Sequence, residues 1–278
     1  FKGGEAVTTE EMLWCGQCKP CADGYPNHCE RLDEIGFNVN GAFTKYIVVP
    51  SRTIWSLEPL RKRYSEDFIF LAGSLVEPTC VAYNAVIERG GGIRPGDRVV
   101  ILGGGPVGLA ACAILKRAGA SQVIISETQE DRGKIALKLG ADYHINPMKE
   151  DFAERVLEIT EGMGADLFME ATGLPEVVYP GIEQVIWEGR TLNSRVVVTA
   201  RAEAKMPVAG EVLQVRRAQI IGAQGHSGHG TFPRVIECMA SGMDMTPIST
   251  KKIGLHEVPE NIIRLQTDRS NAKITYIA

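Results

Sequence analysis

Strand-like and helix-like segments alternate along the middle of the chain, from Val99 to about Gly222. Short apolar runs such as VVIL, QVIIS and RVVVTA predict buried strands, and the segments between them have helical periodicity and often end at a glycine. Parallel strands need crossovers, and the crossovers are right-handed, so this alternation predicts a parallel sheet with helices on both faces. We therefore expect a doubly wound α/β domain over residues 79–222.

The first strand-to-helix turn of this domain carries the G-x-G-x-x-G spacing. In GGGPVG the glycines are Gly103, Gly105 and Gly108, and Pro106 and Val107 begin the helix. A tight turn, close approach of a pyrophosphate and close helix–strand packing each require a residue without a side chain. The amides at the helix N-terminus also attract phosphate. A simple packing loop is the alternative, but the strand before it and the helix after it favour a dinucleotide site.

The choice of nucleotide depends on the acid that follows. Glu127 ends the second strand, where a carboxylate can accept both ribose hydroxyls and would repel a 2′-phosphate, so NAD is favoured over NADP. Arg132 could instead assist a 2′-phosphate. Thr172, Gly173 and Thr199 follow later strands and are candidates for the nicotinamide end. A flavin or a methyl donor could occupy a similar crevice, but the cysteine cluster upstream argues against both.

That cluster lies in WCGQCKPCADGYPNHC. Cys15, Cys18, Cys21 and Cys29 are separated by two, two and seven residues, a spacing that suits a closed tetrahedral zinc site. Disulfides suit a small secreted protein better than a chain of 278 residues whose other cysteines are scattered singly. A ferredoxin-type iron–sulfur cluster would need three residues before the fourth cysteine and a proline after it, but Glu30 follows here. Four sulfur ligands leave no position for a substrate, so we expect the zinc to be structural.

The ends of the chain flank this domain. Residues 1–78 predict a loop-rich β unit with a strand at Phe43–Val49, and EPTCVAYNAVIERGGG predicts a helix from Thr79 to Glu88. Residues 223–278 predict a helix near Phe232–Ser241 and a final strand, KITYI, which we expect to return to the first unit.

Charge excludes some classes of partner. The sequence has 30 basic and 34 acidic residues, a formal net charge of −4, so a nucleic-acid or anionic-membrane partner is not expected. It has no apolar run of 18 residues and no secretion-signal pattern at its start, and we expect a cytoplasmic location.

The two motifs, together with GAFTKYIVVP, RPGDRVVILGGGPVGLAA and EATG, resemble the zinc-dependent medium-chain alcohol and polyol dehydrogenase family over essentially the whole chain. The resemblance implies a Rossmann NAD domain, an incomplete GroES-like catalytic domain that carries the zinc lobe, and a homo-oligomer, either a dimer or a tetramer. It also implies hydride transfer to NAD from a secondary hydroxyl. Within the family, EEMLWCGQCKPCADGYPNHCE and RRAQIIGAQGHSGHGTFPRVI resemble keto-inositol dehydrogenases, and this resemblance implies a keto-inositol substrate. Sorbitol- or threonine-type activity is the alternative, and the four-cysteine lobe argues against a zinc-less reductase.

The resemblance also implies a role for Glu77 in LVEPT. In polyol-type members the acid of this Glu-Pro pair lies at the catalytic zinc, directly or through a water, and a carboxylate is a suitable zinc donor. An exposed helix-entry acid beside a proline is the alternative. The family's cysteine ligand and Gly-His-Glu histidine precede a strand that resembles Gly3–Val7, and this sequence has no such triplet. We therefore expect a fragment lacking roughly a hundred N-terminal residues and inactive alone. A non-catalytic NAD- and zinc-binding remnant is the rival hypothesis.

The segment GHSGHG places His226 and His229 three residues apart. The pair could bind a metal or hydrogen-bond a polyhydroxylated ring, or could be solvated in a loop. Because the segment follows a strand of the cofactor domain, we favour contact with substrate or cofactor.

Overall fold

The computed structural model describes residues 1–277 and contains two compact units. The first unit consists of Phe1–Val81 together with the chain from Gly225 onward, and the second is Ala82–Gln224.

In chain order the strands are β1 (Val7–Thr9), β2 (Met12–Leu13), β3 (Asp33–Glu34), β4 (Ile54–Ser56), β5 (Arg98–Leu102), β6 (Gln122–Ser126), β7 (Tyr143–Ile145), β8 (Leu167–Glu170), β9 (Arg195–Val198), β10 (Gln219–Gly222), β11 (Ser249–Ile253) and β12 (Lys273–Tyr276). The α-helices are α1 (Lys19–Ala22), α2 (Glu66–Gly73), α3 (Val76–Tyr83), α4 (Pro106–Arg117), α5 (Glu130–Lys138), α6 (Phe152–Ile159), α7 (Pro175–Glu188), α8 (Gly210–Val215), α9 (Thr231–Ala240) and α10 (Val258–Arg264). Short 3₁₀ helices span Pro26–His28, Ser51–Thr53, Glu58–Lys62, Thr246–Ile248 and Leu255–Glu257.

The second unit contains a six-stranded parallel sheet in the order β10-β9-β8-β5-β6-β7. Chain order reverses between β5 and β8, which is the switch point where doubly wound sheets bind their ligands. Successive residues of β5 from Val99 to Leu102 are all buried, so both faces of the sheet are covered. The predicted doubly wound α/β class is confirmed.

Local sequence explains how the helices of this unit begin and end. Helix α4 starts with Pro106, which lacks the amide proton that would be unpaired there, and ends with Lys116 and Arg117 at the negative end of its dipole. Helix α6 is capped by Asp151, whose side chain accepts the Glu154 amide at 2.8 Å.

The first unit is built from small two-stranded sheets. Strands β1 and β4 pair antiparallel, as do β2 and β3, while β11 and β12 pair in parallel. Here the prediction of a strand at Phe43–Val49 is wrong, because that segment has no regular structure. Its Val48 side chain is 99% exposed, and β-forming residues make a strand only where a second strand pairs with them.

The helix predicted at Thr79–Glu88 begins earlier, at Val76, and continues beyond Tyr83 as a π-helix over Asn84–Arg89. Within residues 1–277, no single helix is long and apolar enough to cross a membrane, although the bent pair Glu66–Gly73 and Val76–Arg89 passes on length and composition alone.

Candidate metal centres and cofactor site

Four cysteine sulfurs converge in the first unit. The Sγ atoms of Cys15, Cys18, Cys21 and Cys29 lie within 4.8 Å of one another, and those of Cys18 and Cys29 are 3.8 Å apart. Sulfurs about 2.3 Å from one tetrahedral ion are about 3.8 Å apart, so the set fits a single ion with no room for a cluster of several irons. All four cysteines are free thiols, which contradicts the disulfide alternative.

Backbone amides favour the thiolate form of Cys15 and Cys18, whereas burial raises the pKa of Cys21 to about 12. Hydrogen bonds from the backbone of Gln17 and Cys18 lower the pKa of Cys15 to about 6. The Arg31 amide donates to the Cys29 sulfur at 3.3 Å, and the Arg31 guanidinium donates to Cys15 at 3.4 Å. These donors orient the sulfurs from outside the ligand set, as outer partners of metal ligands do.

A second group of donor atoms lies in the same unit. Glu11, between β1 and β2, Glu77, in the first turn of α3, and His226, after β10, place one donor atom each within 4.8 Å of the others. The Nε2 atom of His226 is 3.3 Å from Glu77 Oε1 and 3.6 Å from Glu11 Oε2. His226 is only 1% exposed, whereas both acids are partly exposed.

The neighbours of this group shift its pKa values. Burial raises the pKa of Glu77, although His226 opposes the shift. Burial lowers the pKa of His226, but the carboxylates of Glu11 and Glu77 outweigh it, so the net direction is upward.

A network holds the other side of the His226 ring. Its Nδ1 atom is 3.4 Å from the Ser227 hydroxyl, which donates to Glu10 Oε2 at 2.5 Å. The other oxygen of Glu10 accepts the indole N–H of Trp55 at 2.8 Å. Phe232 packs edge-on against the imidazole, with ring centroids 5.3 Å apart. These contacts fix the direction in which Nε2 points.

The glycine loop of the second unit is shaped by two close approaches. Gly103 has φ +101°, and a Cβ there would lie 2.9 Å from the Ala171 carbonyl oxygen. A Cβ on Gly108 would lie 1.9 Å from the Gly103 carbonyl oxygen, so α4 can approach β5 only through a glycine. Gly105 caps α4 with φ −71° and faces open space. The loop therefore leaves a cradle at the helix N-terminus that a phosphate group fits.

Glu127 lies directly against this loop. One carboxylate oxygen accepts the Gly104 amide at 2.6 Å, and the other accepts the Gln129 amide at 2.7 Å and the Thr128 hydroxyl at 3.2 Å. The side chain is thus positioned by the backbone around it. Arg132 lies nearby in sequence, in the first turn of α5, and is partly buried.

The remaining predicted cofactor contacts lie where β8 and β9 end. Glu170 Oε1 accepts the amides of Thr172 and Gly173 at 2.7 and 2.9 Å, so one carboxylate fixes that turn. Thr199 donates its amide to the Glu170 carbonyl at 3.0 Å. Within the described residues, its buried hydroxyl has no hydrogen-bond partner.

Comparison with known proteins identifies the family. A family model described as zinc-binding dehydrogenase matches residues 106–241, and one described as alcohol dehydrogenase GroES-like domain matches residues 1–59. Scyllo-inosose 3-dehydrogenase of Thermotoga maritima is 64% identical over 277 residues, which cover 100% of this chain and 70% of that protein. This chain belongs to the zinc-binding dehydrogenase family.

Other dehydrogenases are similar over nearly the whole chain. L-threonine 3-dehydrogenase of Pyrococcus horikoshii is 31% identical over 277 residues, covering 99% of this chain and 75% of that protein. A solved structure described as an alcohol dehydrogenase from Thermotoga maritima has a TM-score of 0.98 at 63% identity, covering 100% of this chain and 70% of that one. The structure of 2R,3R-butanediol dehydrogenase from Bacillus subtilis has a TM-score of 0.83 at 27% identity, and the match covers 100% of this chain and 75% of that one.

The family assignment, the GroES-like domain and the zinc-containing class of enzyme predicted from the sequence are therefore confirmed. The structure brings Glu77 and His226 together but leaves His229 exposed, with its ring 6.2 Å from that of Tyr25. Sequence reasoning missed Glu11. The signal was available in TTEEM, where two adjacent acids sit between predicted β-type residues just before the cysteine lobe.

Proposed function

We propose that the protein oxidises a secondary hydroxyl of a polyol or keto-inositol by hydride transfer to NAD. The observation that carries this proposal is the 64% identity, along the whole chain, to a scyllo-inosose 3-dehydrogenase. The threonine dehydrogenases are only about half as similar, at 31% identity or less for those that match almost the whole chain. A substrate related to scyllo-inosose is therefore favoured over an amino acid.

When bound, a catalytic zinc supplies Lewis acidity that makes a substrate hydroxyl easier to deprotonate, and NAD supplies the hydride acceptor. The chain's own residues provide binding and orientation. The bare backbone at Gly105 and the amides at the start of α4 would hold the diphosphate. The Glu127 carboxylate would accept the adenosine ribose hydroxyls and repel a 2′-phosphate, which supports NAD over NADP.

The strand ends on the other side of the switch point would bind the nicotinamide. The turn at Thr172 and Gly173 is held by Glu170, so its backbone is fixed before a ligand arrives. The Thr199 hydroxyl is buried and lacks a partner among residues 1–277, so it can bond to a carboxamide. In the first unit Glu77 would be the carboxylate directed at the catalytic zinc.

The resemblance also supports a homo-oligomer, either a dimer or a tetramer, in the cytoplasm. Light scattering coupled to size exclusion tests the assembly.

The experiment for the proposed function measures NADH formation at 340 nm with three alcohols: scyllo-inosose, L-threonine and 2R,3R-butanediol. Each is tested with NAD and with NADP. We expect the highest kcat/KM with scyllo-inosose and NAD. A higher kcat/KM with L-threonine would show that the substrate is an amino acid and not a keto-inositol. A preference for NADP would contradict the proposal that Glu127 repels a 2′-phosphate.

The rival hypothesis is a non-catalytic remnant that binds NAD and zinc without oxidising a substrate. Calorimetric binding of NAD without turnover of any of the three alcohols would support it. Turnover would exclude it and would also contradict the prediction that these 278 residues are inactive alone.

A further inference from the structure

We propose that Glu11, Glu77 and His226 together bind a divalent cation, with zinc as the best match. The proposal deepens the proposed function, because it takes Glu77 as a metal ligand, and it adds two ligands that the family resemblance does not supply. One imidazole nitrogen and two carboxylate oxygens are donors that zinc accepts. They come from three separate segments of the first unit and meet within 4.8 Å.

The distances fit ligands of a common ion better than hydrogen bonds. Charge-assisted N–H···O bonds are about 2.7–2.9 Å long, whereas His226 Nε2 lies 3.3 Å from Glu77 and 3.6 Å from Glu11. Two ligand atoms that are each about 2.1 Å from a tetrahedral zinc are separated by about 3.4 Å. Both observed separations fall close to that value. In the described part of the chain, His226 Nε2 and Glu11 Oε2 are buried and without a hydrogen-bond partner.

The network behind the ring supplies independent support. The Ser227 hydroxyl donates its hydrogen to Glu10, so its oxygen is available to accept from His226 Nδ1–H. With the hydrogen on Nδ1, the lone pair of Nε2 faces two carboxylates. That arrangement is repulsive unless a metal cation lies between the three atoms or Nε2 also takes up a proton. A metal-binding histidine usually donates its second ring N–H to an oxygen in this way.

The competing explanation is that His226 is an imidazolium ion paired with both acids and that no metal binds. Metal content separates the two explanations without any need for turnover. The protein is loaded with Zn²⁺, dialysed against metal-free buffer, and measured by plasma mass spectrometry. We expect two zinc ions per chain, one of them in the four-cysteine site.

Variants assign the second ion. Glu11→Gln and His226→Gln should each retain one zinc and weaken binding of the second at least tenfold. Cys18→Ser should lose the other ion. Glu260→Gln and His256→Gln change exposed residues of the same types in the same unit and should retain both ions. Replacing zinc with Co²⁺ gives a check by absorption spectroscopy. Cobalt in the four-thiolate site has intense charge-transfer bands, whereas cobalt in a carboxylate–imidazole site does not.

One zinc per wild-type chain overturns the proposal, whatever the variants do. The proposal is also overturned if the wild type and Glu11→Gln both retain two zinc ions. If His226→Gln fails to fold, the zinc content of Glu11→Gln alone tests the proposal. The proposed function can fail independently of this site. Two zinc ions without turnover would support the metal site and contradict the proposed function. Turnover with a single zinc ion would contradict the metal site and support the proposed function.

Discussion

At the residue scale, Glu127 is bonded to the glycine loop and is also the residue that we propose selects NAD. Its carboxylate accepts the Gly104 amide at 2.6 Å, so a change at this position would alter the loop as well as the proposed ribose contact. Replacement by glutamine retains an acceptor for the amide but removes the negative charge. The two effects can therefore be separated by comparing NAD with NADP.

We expect Glu127→Gln to lower the preference for NAD over NADP by about 10- to 150-fold, corresponding to about 1.5–3 kcal/mol for hydrogen bonds to a charged group. Dissociation constants for both nucleotides, measured by isothermal titration calorimetry, test this. Glu154→Gln is the matched control, because Glu154 is exposed on α6. An unchanged ratio in Glu127→Gln would show that Glu127 only supports the loop.

At the element scale, two glycines in the strand–loop–helix unit of β5 and α4 serve different purposes: Gly108 is needed for folding, and Gly105 is proposed to be needed for NAD binding. A methyl group on Gly108 would collide with the Gly103 carbonyl oxygen at 1.9 Å, and neither backbone can give way. A methyl group on Gly105 would meet nothing within 4 Å, and the backbone there already suits alanine. The space that it would fill is the cradle proposed to hold the diphosphate.

Gly108→Ala should therefore destabilise the fold by about 1–3 kcal/mol or more, whereas Gly105→Ala should keep its stability within about 0.5 kcal/mol. Gly105→Ala should instead bind NAD at least tenfold more weakly, because the methyl group keeps the pyrophosphate from the backbone. Thermal unfolding and NAD titration of both variants test the pair. If Gly105→Ala bound NAD normally, the diphosphate would have to lie elsewhere.

Elements of the second unit could be predicted because their signals are local. QVIIS and RVVVTA are short apolar runs next to helical periodicity, and both form strands of the sheet. Phe43–Val49 carries the same kind of apolar signal but forms no strand, since pairing depends on residues that are distant in sequence. The sequence shows an acidic pair at Glu10 and Glu11, but it does not show that Glu11 meets His226, because only the folded first unit brings them together.

At the scale of the whole molecule, the chain exposes an apolar segment at residues 43–49. In residues 43–49, Tyr46 is 80% and Val48 is 99% exposed, and the backbone pairs with no strand of the described chain. Segments with high β-propensity, free backbone groups and little charge pair readily with one another. We therefore expect residues 43–49 to make the chain prone to aggregation.

We expect wild-type protein to self-associate through this segment and Val48→Lys to reduce light scattering several-fold at equal concentration, because a charge in an unpaired strand opposes pairing with a second copy. Gln266→Lys makes the same charge change at an exposed polar position of the first unit and should scatter like wild type. Equal reductions in both variants would mean that net charge alone controls solubility. A reduction confined to Val48→Lys, with zinc content and unfolding temperature unchanged, would place the contact between copies at residues 43–49.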